Sequence, residues 1–280
     1  MTSQVPQSDA AAIPPGVDPA VPSPARMYDL MLGGTHHFPS DRAALEQLRA
    51  VSPDAEDAAW ANRSFHQRVA RWLALRGIRQ FIDVGSGLPT VGNTHEVVRR
   101  AAPGAHVLYV DIDPMVRAYS AQLLADDGTT AVLTADVRDP ASILDSPELR
   151  TVIDLTRPVG LLMTAVLHFV ADDADPCSLV RRYVEALAPG SYLALTHGTC
   201  TGLPRRLIDA GIETFASSTA SFRLRDREYI TRFFDGLEIV PPSADALPAV
   251  VHPGAWDADD LHLSSSGGSL WWLGAVARRP

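Results

Sequence analysis

Phe81-Ile82-Asp83-Val84-Gly85-Ser86-Gly87 reads as an apolar strand with an acid near its end and two glycines in the turn that follows. Glycine lets the backbone turn sharply and approach a ligand where a Cβ would stand in the way, and open α/β sheets take their ligands at the C-terminal ends of their strands. Downstream, short apolar runs alternate with helix-like stretches, the pattern of consecutive βαβ units and a mainly parallel sheet. Strands are expected near 80–84, 106–111, 131–134, 160–164 and 192–196. Helices are expected over 94–101, 114–125, 140–149 and 176–187, with Pro114, Pro140 and Pro176 in first turns, where a missing N–H costs nothing. A helical segment over 226–234 precedes two more strand-like runs, 237–240 and 270–277. With no strong helix between them, these two predict an antiparallel pair closing the sheet.

Upstream of the loop, Phe65, Val69, Trp72 and Leu73 recur at i, i+4, i+7 and i+8, one face of a helix that Gly77 can cap, and 41–50 also has helical character. Residues 25–78 therefore form an expected N-terminal helical cap in front of a core over 79–280. Residues 1–24 carry six prolines among small and polar residues without periodicity, a composition expected to stay a flexible tail.

The chain has 280 residues, 46% of them apolar, enough for one large α/β domain. Its formal charge of −9 is spread along the sequence with no basic face, which argues against nucleic acid or an anionic membrane as partner. Cys177 and Cys200 lie in no metal-ligand spacing, and His36, His37, His95 and Glu96 do not make one either, so no metal is expected. Apolar runs such as 159–170 are too short to span a bilayer and no signal segment opens the chain, so a cytoplasmic location is expected. The oligomeric state is not written in the sequence.

Gly85-x-Gly87 alone indicates only a nucleoside cofactor or a tight turn. The third glycine of the dinucleotide fingerprint is missing. Leu88-Pro89-Thr90 follows instead, lengthening the loop and removing an N–H that a pyrophosphate would use. A cofactor with adenosine and no phosphate, S-adenosylmethionine, is favoured. Asp111 ends the second strand one βαβ repeat on, where a carboxylate accepts from both ribose hydroxyls. Asp113 is a second candidate there, or simply the cap of the helix that begins at Pro114. After the third strand, Asp136 can accept from the adenine amine while the Val137 N–H donates to a ring nitrogen.

Together 81–87, 109–114, 134–140 and Leu167-His168-Phe169 resemble the ordered motifs of class I S-adenosylmethionine-dependent methyltransferases. Arg26-Met27-Tyr28-Asp29, Leu32-Gly33-Gly34, Asn62-Arg63, Leu88-Pro89-Thr90 and Asn93-Thr94-His95-Glu96 are similar, more narrowly, to an actinobacterial methyltransferase family once catalogued as a domain of unknown function. The resemblance runs from Arg26 onward. It implies a Rossmann-like, seven-stranded, mostly parallel sheet with helices on both faces. It also implies that Asp83, Gly85 and Gly87 surround the methionine part of the cofactor, Asp111 the ribose, and Asp136 with Val137 the adenine.

Around the transferred methyl, Arg26 to Phe38, with Tyr28, Gly34 and His37, is a candidate lid over the cofactor; it is alternatively a structural turn with two glycines and a buried tyrosine. Asn62 and Arg63 can reach the cofactor carboxylate, Arg63 through a bidentate guanidinium fork, or form a solvated helix face. His168 is the candidate general base and His197 a weaker one, although displacement on a sulfonium can run on proximity and orientation alone. Loops 199–225 and 241–268 are expected to build the pocket for a small-molecule acceptor. Trp271 and Trp272 are expected in the last strand, one ring against the core and one outward. Two alternatives stay open: a non-catalytic sensor of S-adenosylmethionine or its demethylated product, and a nicotinamide-dependent oxidoreductase, which Leu88-Pro89-Thr90 and Asp136-Val137 disfavour.

Overall fold

The computed structural model describes residues 13–123, 128–257 and 267–280. Its seven strands are β1 (Gln80–Val84), β2 (His106–Asp111), β3 (Thr130–Thr134), β4 (Gly160–Thr164), β5 (Tyr192–Gly198), β6 (Glu238–Ile239) and β7 (Trp272–Arg278). They form one sheet in the order β3-β2-β1-β4-β5-β7-β6, parallel from β3 to β5. β7 runs antiparallel to both β5 and β6 and sits between them, so the C-terminal pair does close the sheet.

The helices are α1 (Pro24–Met31), α2 (Pro39–Val51), α3 (Ala55–Leu75), α4 (Thr94–Ala101), α5 (Pro114–Leu123), α6 (Pro140–Leu144), α7 (Pro147–Val152), α8 (Pro176–Ala186), α9 (Arg205–Ala216) and α10 (Arg227–Thr231). Alternate side chains of each strand reach opposite faces, and each face has its own cover. Ile82, Val84, Leu108, Leu161 and Leu193 pack with Ile143, Leu149, Val180 and Tyr183 of α6 to α8. Phe81, Val107, Leu162 and Ala194 pack with Phe65, Val69 and Leu73 of α3 and with Val97 and Val98 of α4. Residues fully buried on both faces explain why these strands read as continuous apolar runs.

Several expectations change. The helix expected over 140–149 is two helices, because Ser146-Pro147 starts a new one: the Leu149 N–H donates to Ser146 Oγ at 3.1 Å and Pro147 occupies the first turn. The expected loop 199–225 contains α9, whose Gly211, Thr214 and Phe215 are buried. The helix expected over 114–125 is described to Leu123, and its last residues lie outside the described ones.

Within the flexible tail expected over 1–24, most of residues 13–20 are exposed, but Val17 and the stretch from Pro22 are held against the body of the protein. Ser23 is buried, its N–H donates to Asp41 Oδ1 at 2.9 Å and its hydroxyl to Asp113 at 2.6 Å, while Val17 packs against Leu88, Met115 and Val116. Buried Arg26 fixes this stretch by pairing with Asp41 at 2.7 Å and donating to the Val21 carbonyl. Residues 1–12 lie outside the described ones.

Candidate active site

β1 delivers Asp83 to the C-terminal edge of the sheet and then turns at Gly85, whose φ of +73° puts it in the left-handed region. A Cβ there would come within 2.4 Å of Val166, so only glycine lets the loop pass the end of β4. Gly87 is also left-handed at φ +67°, and a Cβ on it would meet nothing within 4 Å. Its N–H donates to Asp111 Oδ2 at 2.9 Å, tying the loop to the end of β2.

Above this edge opens a cavity of about 620 Å³, within the range of small-molecule sites. One half is lined by Asp83, Gly85, Ser86, Gly87, Asp111, Asp113, Asp136 and Val137. The other half is apolar and aromatic: Met31, Leu48, Ala55, Ala58, His168, Phe169, Phe215, Phe222, Trp271 and Trp272. Gly16, Val17, Ser23, Pro24 and Tyr28 close over the first half.

The acids differ in their engagement. Burial raises Asp83 and Asp111 to about 6 each. Asp111 already accepts from the Gly87 and Asp113 N–H groups. Asp113 caps α5, accepting from the Met115 N–H at 2.9 Å, and also accepts from the Ser23 hydroxyl while lining the cavity, so the cap reading holds. Asp136 is held by Arg138, whose Nε lies 2.8 Å from Oδ2, and this pairing lowers its pKa. The Val137 carbonyl accepts from the Tyr183 hydroxyl at 2.8 Å, and among the described residues the Val137 N–H makes no hydrogen bond. Ser86 Oγ, buried and also without a partner, lies in the same half.

Behind Asp83 lies a relay the sequence reading missed. Thr94 donates to Asp83 Oδ2 at 2.5 Å, so Thr94 Oγ1 must accept from His66 Nε2 at 2.8 Å. His66 Nδ1 then accepts from Thr164 Oγ1 at 2.9 Å. Burial, with Arg63 nearby, lowers His66 to about 3 and keeps it neutral. A single histidine on a helix face carries no signal of such a role in sequence.

Tyr28 and Asn62 belong to one chain of bonds. Asn62 Nδ2 donates to the Tyr28 oxygen at 2.9 Å, the Tyr28 hydroxyl donates to the Ala59 carbonyl at 3.1 Å, and Thr196 donates to Asn62 Oδ1 at 2.5 Å. Arg63 donates through Nε to the Val91 carbonyl and lines the cavity. Asn62 and Arg63 are thus buried rather than a solvated helix face.

Gly34 and His37 are the two expected cofactor residues that do not reach the cavity. A Cβ on Gly34 would fall 2.1 Å from the Asp29 carboxylate, which binds the His36 N–H and the Thr90 hydroxyl. His37 contacts Arg42 instead. The stretch before α1 and α1 itself line the cavity, and Gly34 and His37 belong to the structural turn after it.

His168 does face the cavity. Nδ1 is sealed and has no partner among the described residues, and the ring packs against Phe169, Phe222 and Trp272 at 4.3, 4.9 and 5.3 Å between centroids. Burial, with the Arg225 guanidinium nearby, drives its pKa well below the usual histidine value. It is therefore a neutral hydrogen-bonding group, a poor fit to a general base operating near neutral pH. His197 is engaged by the Gly198 carbonyl and Arg225, and does not line the cavity.

Two acceptor-side expectations are corrected. Trp271 ends a 3-10 turn (Gly267–Trp271) rather than joining the strand, and both tryptophans are buried against the cavity because this turn redirects the first ring. Loop 199–225 contributes Gly211, Phe215 and Phe222, whereas no described part of 241–268 lines the cavity: Val250 and Trp256 pack into the two cores instead.

Residues 10–280 match the model of a family described as S-adenosyl methyltransferase. The chain belongs to this S-adenosyl methyltransferase family. A provisionally assigned methyltransferase from Thermobifida fusca shares 40% identity over 96% of this chain and 99% of its own, with a TM-score of 0.88. A DUF574 family protein from Streptomyces avermitilis shares 39% identity over 93% and 98%, with a TM-score of 0.85. An O-methyltransferase family protein from Burkholderia thailandensis, 13% identical over 80% of this chain and 59% of its own, has a TM-score of 0.50 and shares the fold. No protein of curated function matches. This methyltransferase uses S-adenosylmethionine. The glycine cradle, the Ser86 hydroxyl and the free Val137 N–H offer room and hydrogen bonds to such a cofactor, and the carboxylates of Asp83, Asp111, Asp113 and Asp136 beside them disfavour a phosphate. No helix among the described residues is long and apolar enough to cross a membrane.

Proposed function

We propose that this methyltransferase acts on a small molecule bound in the aromatic half of the cavity. The observation that carries this is continuity: one cavity of about 620 Å³ runs from Asp111 and Asp136 to Phe222 and Trp272, room for a cofactor and a small acceptor rather than a macromolecular segment. S-adenosylmethionine supplies a methyl group on a sulfonium already activated for displacement. The chain's residues bind and orient. Asp111 takes the ribose hydroxyls, the Val137 N–H and Asp136 the adenine, and Asp83, with Arg63, Asn62 and Tyr28, the amino-acid end. The Thr94–His66–Thr164 relay fixes Asp83 in place without adding charge. Residues 16–18 and α1 exclude water above the cofactor, and rate comes mainly from proximity and orientation, which needs no base. His168 orients the acceptor as a neutral partner. Free Cys177 and Cys200 accord with a reducing cytoplasm.

The test is calorimetric titration with S-adenosylmethionine and with NAD, then incubation with methyl-labelled cofactor in cell extract, separated by size. Binding of the first ligand alone and label in the low-mass fraction are expected. Label confined to protein or nucleic acid would refute the small-molecule acceptor.

A further inference from the structure

The two halves of the cavity differ sharply in charge. Its lining carboxylates, Asp18, Asp83, Asp111, Asp113 and Asp136, all belong to the cofactor half or to the stretch folded over it. Among the described residues, the half built from His168, Phe169, Phe215, Phe222, Trp271 and Trp272 contains no acid. It is a slot of rings: Phe169 and Phe215 lie 5.5 Å apart, Phe215 and Phe222 5.0 Å apart, and Trp271 lies within 3.0 Å of where a Gly211 Cβ would stand. Such walls suit a planar ring, stacked or edge-on.

Walls of this kind also suit a cation, so charge must decide. Arg223 is exposed, lines the cavity, and makes no hydrogen bond or ion pair with its guanidinium among the described residues. Its backbone N–H donates to the His168 carbonyl at 2.8 Å, which fixes its place beside that ring. Behind the wall, Arg225 is buried and donates to the Leu167 and Val170 carbonyls and to Asp172, which is itself at the surface. Burial, with the Arg225 guanidinium nearby, keeps His168 neutral, and His197, which accepts from Arg225, is neutral too, so no side chain of this half carries a negative charge to hold a cation.

We infer that the acceptor is an aromatic acid, its ring held between Phe222, Phe169 and Trp272 and its carboxylate drawn to Arg223 at the rim. This rests on the small-molecule reading above and adds the charge and shape of the molecule. Arg223 acts here as a specificity residue: it selects among acceptors without touching the cofactor.

The experiment uses the full chain saturated with S-adenosylhomocysteine at low salt, titrated with three probes that share one phenol ring and differ at the chain end: 4-hydroxyphenylacetate, 4-hydroxyphenethyl alcohol and tyramine. The expected order of affinity is acid, alcohol, amine. The acid should lead the alcohol by about 3- to 5-fold, the worth of one exposed ion pair, and the lead should shrink as salt is added. Arg223→Gln should bring acid and alcohol within about twofold, and Arg223→Lys should keep most of the preference. Equal binding of acid and alcohol, tightest binding of the amine, or a preference that survives Arg223→Gln would overturn the inference. So would failure of all three probes while S-adenosylhomocysteine binds, which leaves the cofactor reading standing. Failure of S-adenosylhomocysteine itself would remove the reading beneath it.

Discussion

Cofactor affinity should weaken in mild acid, and the reason is the pair of carboxylates at the ends of β1 and β2. Burial raises both Asp83 and Asp111 to about 6, so each is anionic at pH 7.5 and largely protonated at pH 5. At pH 5 such a group is ionised in about one molecule in eleven. If the ribose hydroxyls require the Asp111 anion, the dissociation constant for S-adenosylmethionine rises about tenfold between pH 7.5 and pH 5; if the cofactor ammonium also requires anionic Asp83, the rise approaches about a hundredfold. Asp111→Asn keeps the shape and removes one titration. It should bind about 10- to 100-fold more weakly at pH 7.5, the worth of a charge-assisted hydrogen bond, and lose about one decade of the pH response. Unfolding does not mimic this effect through the same groups. With folded values raised from 3.8 to about 6, Asp83 and Asp111 stabilise the fold fully below pH 4 and lose that contribution as pH rises through 6. His66 and His197, lowered to about 3, act the other way, their stabilisation fading as pH falls below 6.5, so circular dichroism must confirm the fold at each pH. Constant affinity from pH 7.5 to 5 in intact protein, or a parent-like slope in Asp111→Asn, would refute the reasoning.

Gly85→Ala should lower stability by about 2–4 kcal/mol in urea denaturation, from left-handed strain plus a Cβ 2.4 Å from Val166, whereas Gly87→Ala, in open space at a similar φ, should cost only about 1–2 kcal/mol. Arg225→Met strands the Val170 carbonyl, while the Leu167 carbonyl keeps the Val170 N–H, and should shift the urea midpoint by the equivalent of about 1–3 kcal/mol; an unchanged midpoint would show that water replaces the guanidinium. Removing residues 1–22 uncovers the cofactor half and strips Val17 from Leu88 and Met115, so titration should show about tenfold weaker binding of S-adenosylmethionine. An unaltered dissociation constant would mean the stretch is no cover.

The middle of the sheet was legible because β1, β2, β4 and β5 are buried on both faces: continuous apolar runs such as Gly160–Thr164 and His106–Asp111 read as strands, and the second ends on an acid. Helix boundaries fared less well where a local signal was weighed against a longer pattern. Ser146-Pro147 is an N-cap followed by a first-turn proline, and it starts a helix inside the one expected. Pro204 followed by Leu207, Gly211 and Phe215 repeats every fourth residue, which was sufficient to reveal α9. Of the candidate site, the loop glycines and strand-end acids were readable, since strand ends converge by topology alone. His66, Phe222 and Trp271 were not, because their convergence depends on how α3, α9 and the turn before β7 dock, and that is decided by packing rather than by periodicity.

The placement of β7 has a consequence for biogenesis. Because the seventh strand in sequence is the sixth across the sheet, a nascent chain that has emerged only through β6 exposes the whole edge of β5, an open template for pairing with another chain. The residues that cover that edge, 272–278, begin with Trp272, a wall of the cavity's aromatic chamber. Protection from aggregation and completion of the chamber therefore come in a single late event, so a folded but chamberless intermediate has no protected form in which to persist.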